Sequence, residues 1–134
     1  REVVLTEESL LPMRVNGIEL LLGPRAFFQT NTRVAAALYR QVRAWADAAA
    51  PRTVWALYCG VRGFALHLAH AGRDVVGVET STEAVEAARA AAALLEARTP
   101  IGSTRFVVGD VTEAIPSAAA ARAAWITRRA STAP

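Results

Sequence analysis

Gly60, Gly63 and Glu79 are the residues of this chain whose types and spacing carry chemistry. The two glycines interrupt one apolar run, and Glu79 closes the next about twenty residues on. Glycines let a chain turn tightly and bring its backbone close to a ligand. An acid at that distance beyond the turn accepts hydrogen bonds from the two hydroxyls of a ribose. Asp110 follows a third apolar run. It is either a second ligand acceptor, toward an adenine amino group, or the cap of the next turn. Gln29 is either a turn residue or a group reaching a ligand at the strand ends.

The elements that must position these residues form one βαβ unit. Thr53–Tyr58 is a short apolar run rich in β-branched and aromatic residues, as in a buried parallel strand. Phe64, Leu66, Leu68 and Ala69 predict the apolar side of a helix that Gly72 ends. Asp74–Glu79 predicts the second strand. Ser81 or Thr82 caps a further helix with Glu83 in its first turn and a narrow face of Ala84, Val85, Ala88, Ala91, Ala92 and Leu95. Arg105–Gly109 predicts a third strand. In a doubly wound sheet of this kind, ligands bind outside the carboxyl ends of the strands.

Upstream, Val3–Leu5 and Ile18–Leu22 are strand candidates, and Asn16-Gly17 is a hairpin turn signal. Thr30 or Asn31 caps a helix running to Ala49, with Val34, Leu38, Val42 and Trp45 as its apolar face. Downstream of Thr112 the periodicity decays, and 126–134 has the character of a tail. The expected organisation is a hairpin segment (1–24), an α/β cofactor-binding domain (25–115) and a helical or disordered tail (116–134). Three parallel strands are few for a doubly wound sheet, so the chain corresponds to the front half of such a domain. Its open sheet edge is a route to self-association.

Composition excludes several classes. The chain has 134 residues, 53% of them hydrophobic, enough for one domain with a real core. No apolar run has the length of a membrane span, and the charged N-terminal residues lack the apolar segment of a secretory signal. A single cysteine, Cys59, excludes an internal disulfide framework and a cysteine-based metal site, and fits a reducing cytoplasm. All fifteen basic residues are arginine, giving a net charge of +3. Arginine pairs well with phosphate, which makes RNA an admissible partner, although a codon bias produces the same composition.

With these residues placed, the sequence resembles the RNA 5-methyluridine (uracil-C5) methyltransferases, which use S-adenosylmethionine. The resemblance rests on Phe27-Phe28-Gln29-Thr30-Asn31, Leu57-Tyr58-Cys59-Gly60-Val61, Gly63–Ala69, Val76-Gly77-Val78-Glu79, Ala84–Ala88 and Phe106–Asp110. It implies a Rossmann-like class I methyltransferase fold, incomplete and preceded by a β-hairpin. It also implies cofactor contacts from Gln29, Tyr58, Gly60, Gly63 and Glu79, with Asp110 near the adenine. In the family, a cysteine beyond the third strand attacks C6 of uracil so that C5 can take the methyl group. That cysteine has no match here; Cys59 falls in the strand-end motif and is expected to be a packed thiol. His67 and His70 are expected on the helix surface or in packing. Two residues depart from the family pattern. Ala56 stands where an acid is usual and Arg62 where a glycine is usual, which implies weak or lost cofactor binding unless Arg62 points to solvent. The implied function is the cofactor-binding part of a uridine C5-methyltransferase acting on rRNA or tRNA, inactive alone. The alternative is a non-catalytic homologue that binds RNA or a partner.

Overall fold

The Asn16-Gly17 pair makes the first turn. Both residues have positive φ, 49° and 80°, which matches the twist of a two-residue hairpin. The turn joins β1 (Leu11–Val15) to β2 (Ile18–Leu22) in antiparallel register, with Val15 opposite Ile18. In this computed structural model the described residues are 9–26, 28, 31–60 and 63–114. The predicted strand at Val3–Leu5 lies outside them. The partner of β2 is Leu11–Val15, a segment whose Pro12 and Arg14 hide the strand pattern. β1 is mostly exposed, whereas β2 buries Ile18, Leu20 and Leu22.

α1 (Thr32–Ala49) starts where Asn31 Oδ1 accepts from the Val34 N–H at 3.1 Å. It stops at Ala50, whose left-handed backbone (φ 46°) donates its N–H to the Ala46 carbonyl. Of the apolar face expected at Val34, Leu38, Val42 and Trp45, Val42 is buried as expected, whereas the other three are nearly half exposed. Beside Val42 the helix buries Ala35, Tyr39 and Ala46. Two apolar stripes lie side by side on α1, and the one with small residues packs because it allows close approach to α2.

The sheet is β3 (Thr53–Leu57), β4 (Asp74–Glu79) and β5 (Thr104–Val108), all parallel in the order β3-β4-β5. α2 (Gly63–Leu68) connects the first two strands and α3 (Thr82–Glu96) the last two. α2 ends at Leu68, short of the predicted end. Gly72 (φ 83°) serves the next reversal, where His70 and Arg73 pair before β4 begins. Phe64 is 42% exposed rather than buried, with its ring edge-on to Tyr39 at 4.8 Å. Ser81 caps α3 by accepting from the Ala84 N–H. A single turn, α4 (Val111–Ala114), follows β5.

One core joins the hairpin to the sheet. Val15, Ile18 and Leu20 pack with Tyr39, Val42, Leu66, Val54, Val75, Val85 and Phe106. Register places Val54, Val75 and Phe106 on the same sheet face. Gly77 keeps that face open: a Cβ there would lie 2.5 Å from the Phe106 ring and 3.1 Å from Cys59 Sγ.

Candidate nucleotide site at the strand ends

Leaving β3, the chain turns through two left-handed residues, Tyr58 (φ 51°) and Gly60 (φ 44°). For Gly60 this is free; for Tyr58 it costs about 1–2 kcal/mol. Strain of this kind is retained where the surroundings over-determine the backbone. The Cys59 N–H extends the ladder by donating to the Val78 carbonyl at 3.3 Å. The turn is then tied to the end of β4, because Gly60 N–H donates to Glu79 Oε2 at 2.9 Å. Glu79 Oε1 accepts from Thr80 N–H at 2.8 Å, Thr80 Oγ1 at 3.1 Å and Ser81 N–H at 3.2 Å. Burial raises the Glu79 pKa, but the bonds from Gly60, Ser81 and Thr80 outweigh it and hold the carboxyl below its usual value. An ionised carboxylate offers about four lone-pair positions, so Oε2, with one donor, keeps acceptor capacity for a hydroxyl.

Beside this pair is a cavity of about 220 Å³, lined by Gly60, Glu79 and Ser81 on one side and by Leu21, Gly23 and Arg25 on the other. The hairpin exit therefore forms one wall and the start of α3 the opposite one. Gly23 allows this approach, since a Cβ there would fall 2.1 Å from a Glu83 carboxyl oxygen. In the sequence Ser81 is marked only as a cap, and Gly23 is not marked at all. Nothing in their spacing showed that they face one another across the glycine turn.

Tyr58, Gly63 and Asp110 do not line the cavity. Tyr58 is 69% exposed. Gly63 is buried at the start of α2, under the Tyr39 ring. Asp110 is exposed, and its Oδ1 accepts from Thr112 N–H (2.7 Å) and Thr112 Oγ1. Those bonds, the hydroxyl's first, hold its pKa below the usual value. Its neighbour Gly109 donates to the Glu79 carbonyl at 3.0 Å, so Asp110 sits one step from the acid of β4. Gln29 and Arg62 lie outside the described residues. Ala56 is half-buried on the core face of β3, opposite Gly77. Among the described residues no cluster of His, Cys, Asp or Glu has the geometry to hold a metal ion, and no helix is long and apolar enough to cross a membrane.

A glycine turn after the first parallel strand and a hydrogen-bonded acid ending the second define the Rossmann-like class of α/β folds. No family model matches the chain. It is 36% identical over 119 residues to the 23S rRNA (uracil(747)-C(5))-methyltransferase RlmC of Shewanella amazonensis, covering 86% of this chain and 31% of that protein. It is 40% identical over 114 residues to RlmC of Yersinia pestis, covering 82% of this chain and 30% of that protein. Among solved structures it is similar to the Pyrococcus abyssi tRNA (uracil-54, C5)-methyltransferase in complex with S-adenosyl-L-homocysteine. That match has a TM-score of 0.63 at 26% identity and covers 77% of this chain and 24% of the other. Over more than four fifths of its length the chain is similar to RNA uracil-C5 methyltransferases, and its α/β fold is similar to theirs. It spans about a third of the length of the curated relatives it matches.

Proposed function

We propose that this chain is the S-adenosylmethionine-binding part of an RNA uridine C5-methyltransferase acting on rRNA or tRNA. The observation that carries the reading is the clasp between Gly60 N–H and the Glu79 carboxylate beside the strand-end cavity. It orients an ionised acceptor where a ribose would lie. Gly60 and Glu79 hold the ribose end, Gly63, Tyr58 and Gln29 border the rest of the cofactor, and Asp110 lies toward the adenine. The cofactor, when bound, supplies an electrophilic methyl group; the part played by this chain is to bind and orient it.

The chain alone does not transfer the methyl group. Its one cysteine, Cys59, is half-buried, with its sulfur packed over Gly77 rather than presented to the cavity. Robust methylation of uridine-containing RNA by the isolated chain would overturn this statement.

Ala56 favours a second reading, a homologue that binds RNA or a partner without the cofactor, because no carboxylate projects from β3 below the turn. Calorimetric titration with S-adenosyl-L-homocysteine separates the two, run on the natural chain and on the Ala56→Asp, Arg62→Gly double variant. Micromolar binding by the natural chain means that the pocket is intact and supports the cofactor reading. Binding by the variant alone means the fold is competent and those two residues disabled it. Binding by neither removes the cofactor reading, and salt-dependent RNA binding would then support the second.

A further inference from the structure

The glycine turn is gripped from outside by a line of polar groups that the cofactor does not explain. His67 Nδ1 lies 2.5 Å from the Gly63 carbonyl. A carbonyl only accepts, so Nδ1 carries the proton and Nε2 presents a lone pair. Facing Nε2 at 3.2 Å is Nδ2 of Asn16, in the hairpin turn. The orientation of that amide is fixed independently. Its Oδ1 accepts from Arg40 Nη1 at 2.7 Å, and its Nδ2 donates to the Ala36 carbonyl at 2.9 Å. Arginine has no acceptor, so the amide oxygen must face it. Donors thus run from Arg40 of α1 through Asn16 of the hairpin to His67, and end on the carbonyl of the first residue of α2. His67 is 2% exposed, and its ring packs 4.6 Å from that of Tyr39. The Tyr39 ring in turn fills the space above Gly63, where a Cβ would lie 2.1 Å from it.

We propose that His67 is a positioning residue for the glycine turn: through the Gly63 carbonyl it fixes the residue at which that turn enters α2. The proposal rests on the cofactor reading above. The groups facing the ring are Asn16 and the Val15 carbonyl from the hairpin, Tyr39 and the Arg43 charge from α1, and the Gly63 carbonyl. Burial, the largest influence, lowers the His67 pKa. The Gly63 and Val15 carbonyls oppose it, Arg43 adds to it, and the net shift is downward. A proton on Nε2 would confront the Asn16 N–H. Asn16 would have to turn away from Arg40 and Ala36, and the ring would take the Val15 carbonyl as its new acceptor.

The test compares the natural chain with His67→Phe, His67→Asn and Asn16→Gly. Phe keeps the ring packing but loses the bond to Gly63; Asn restores an N–H near the Nδ1 position; Gly suits the positive φ of the turn and removes the relay. The readouts are S-adenosyl-L-homocysteine affinity by calorimetry at pH 7.5, amide hydrogen exchange at Gly60 and Gly63, and the His67 titration by NMR. His67→Phe should bind about tenfold more weakly, the equivalent of one hydrogen bond, and His67→Asn should recover most of the loss. Asn16→Gly should raise the His67 pKa, because the donor to its neutral form is gone. Equal affinity of His67→Phe and the natural chain would overturn the proposal. If the natural chain binds no S-adenosyl-L-homocysteine, the affinities are compared in the Ala56→Asp, Arg62→Gly background, and exchange decides separately. Faster exchange at Gly60 and Gly63 in folded His67→Phe supports the positioning role, and unchanged exchange overturns it.

Discussion

At the scale of single residues, Glu79 does two things with one carboxylate. It closes the glycine turn through Gly60, and it stays ionised because four donors, three of them backbone amides, converge on it. Glu79→Gln keeps the shape but turns an NH2 toward a donor whichever way the amide is flipped. Charge-assisted bonds are worth about 1.5–3 kcal/mol, so the loss of one weakens S-adenosyl-L-homocysteine binding by roughly 10- to 100-fold. Calorimetry at neutral pH checks this. The same residue contributes to acid stability. Its folded pKa is depressed, so its contribution is complete above the ordinary value of 4.5 and is lost as the pH falls through the folded value. Asp74, held low by Ser103, and Asp110 act in the same direction. Urea unfolding between about pH 6 and 3 should therefore show a shallower acid decline in Glu79→Gln than in the natural chain, without abolishing it.

At the scale of elements, two glycines separate packing from backbone conformation. Gly63→Ala drives a Cβ into the buried Tyr39 ring, and overpacking of this kind costs about 1–3 kcal/mol. Gly72→Ala meets nothing within 4 Å but sits at φ 83°, so it costs about 1 kcal/mol through the left-handed backbone alone. Equilibrium unfolding of both variants, with Tyr39→Leu added to each, tells them apart: the second change should offset part of the loss at Gly63 and none at Gly72. The same contrast explains what the sequence could reveal. β3 was legible because its apolar run stops at a glycine turn, and β4 because Val75, Val76 and Val78 are closed by Glu79 at the expected distance. β5 was displaced by one residue, beginning at Thr104. The buried face of α1 was missed except at Val42, because Val34, Leu38 and Trp45 are more hydrophobic than the Ala35 and Ala46 that actually pack, and close approach to Gly63 outweighs residue size. The hairpin wall of the cavity was illegible, since Gly23 and Arg25 meet Ser81 and Glu83 only through tertiary closure.

At the scale of the whole molecule, the carboxyl end of the sheet is polar and strained while the opposite end is clamped. There Arg73, 2% exposed at the entrance to β4, donates from Nη2 to Asp47 Oδ1 at 2.9 Å and to the Ala46 carbonyl at 3.2 Å. Its Nη1 donates to the Leu68 carbonyl at 3.2 Å, so one guanidinium joins the ends of α1 and α2 to the sheet. Its Nε is buried without a partner, which makes the clamp an incompletely satisfied one. Backbone packing fixes its position: Gly102 lies against the Arg73 main chain, where a Cβ would come within 2.2 Å of the carbonyl oxygen. Removing Asp47 leaves the buried cation with carbonyls alone. Breaking a fully buried pair costs about 3–5 kcal/mol, and because the Asp47 side chain is half exposed, Asp47→Ala should cost about 2 kcal/mol. Arg73→Met removes the charge together with its desolvation and retains most of the volume. The Asp47→Ala, Arg73→Met double variant should therefore be more stable in urea than Asp47→Ala alone. A double variant less stable than Asp47→Ala would mean that the bonds to Ala46 and Leu68, rather than the ion pair, hold this end together. S-adenosyl-L-homocysteine affinity should be unchanged in the folded double variant, because the clamp lies at the amino ends of the strands and the Glu79 clasp at their carboxyl ends.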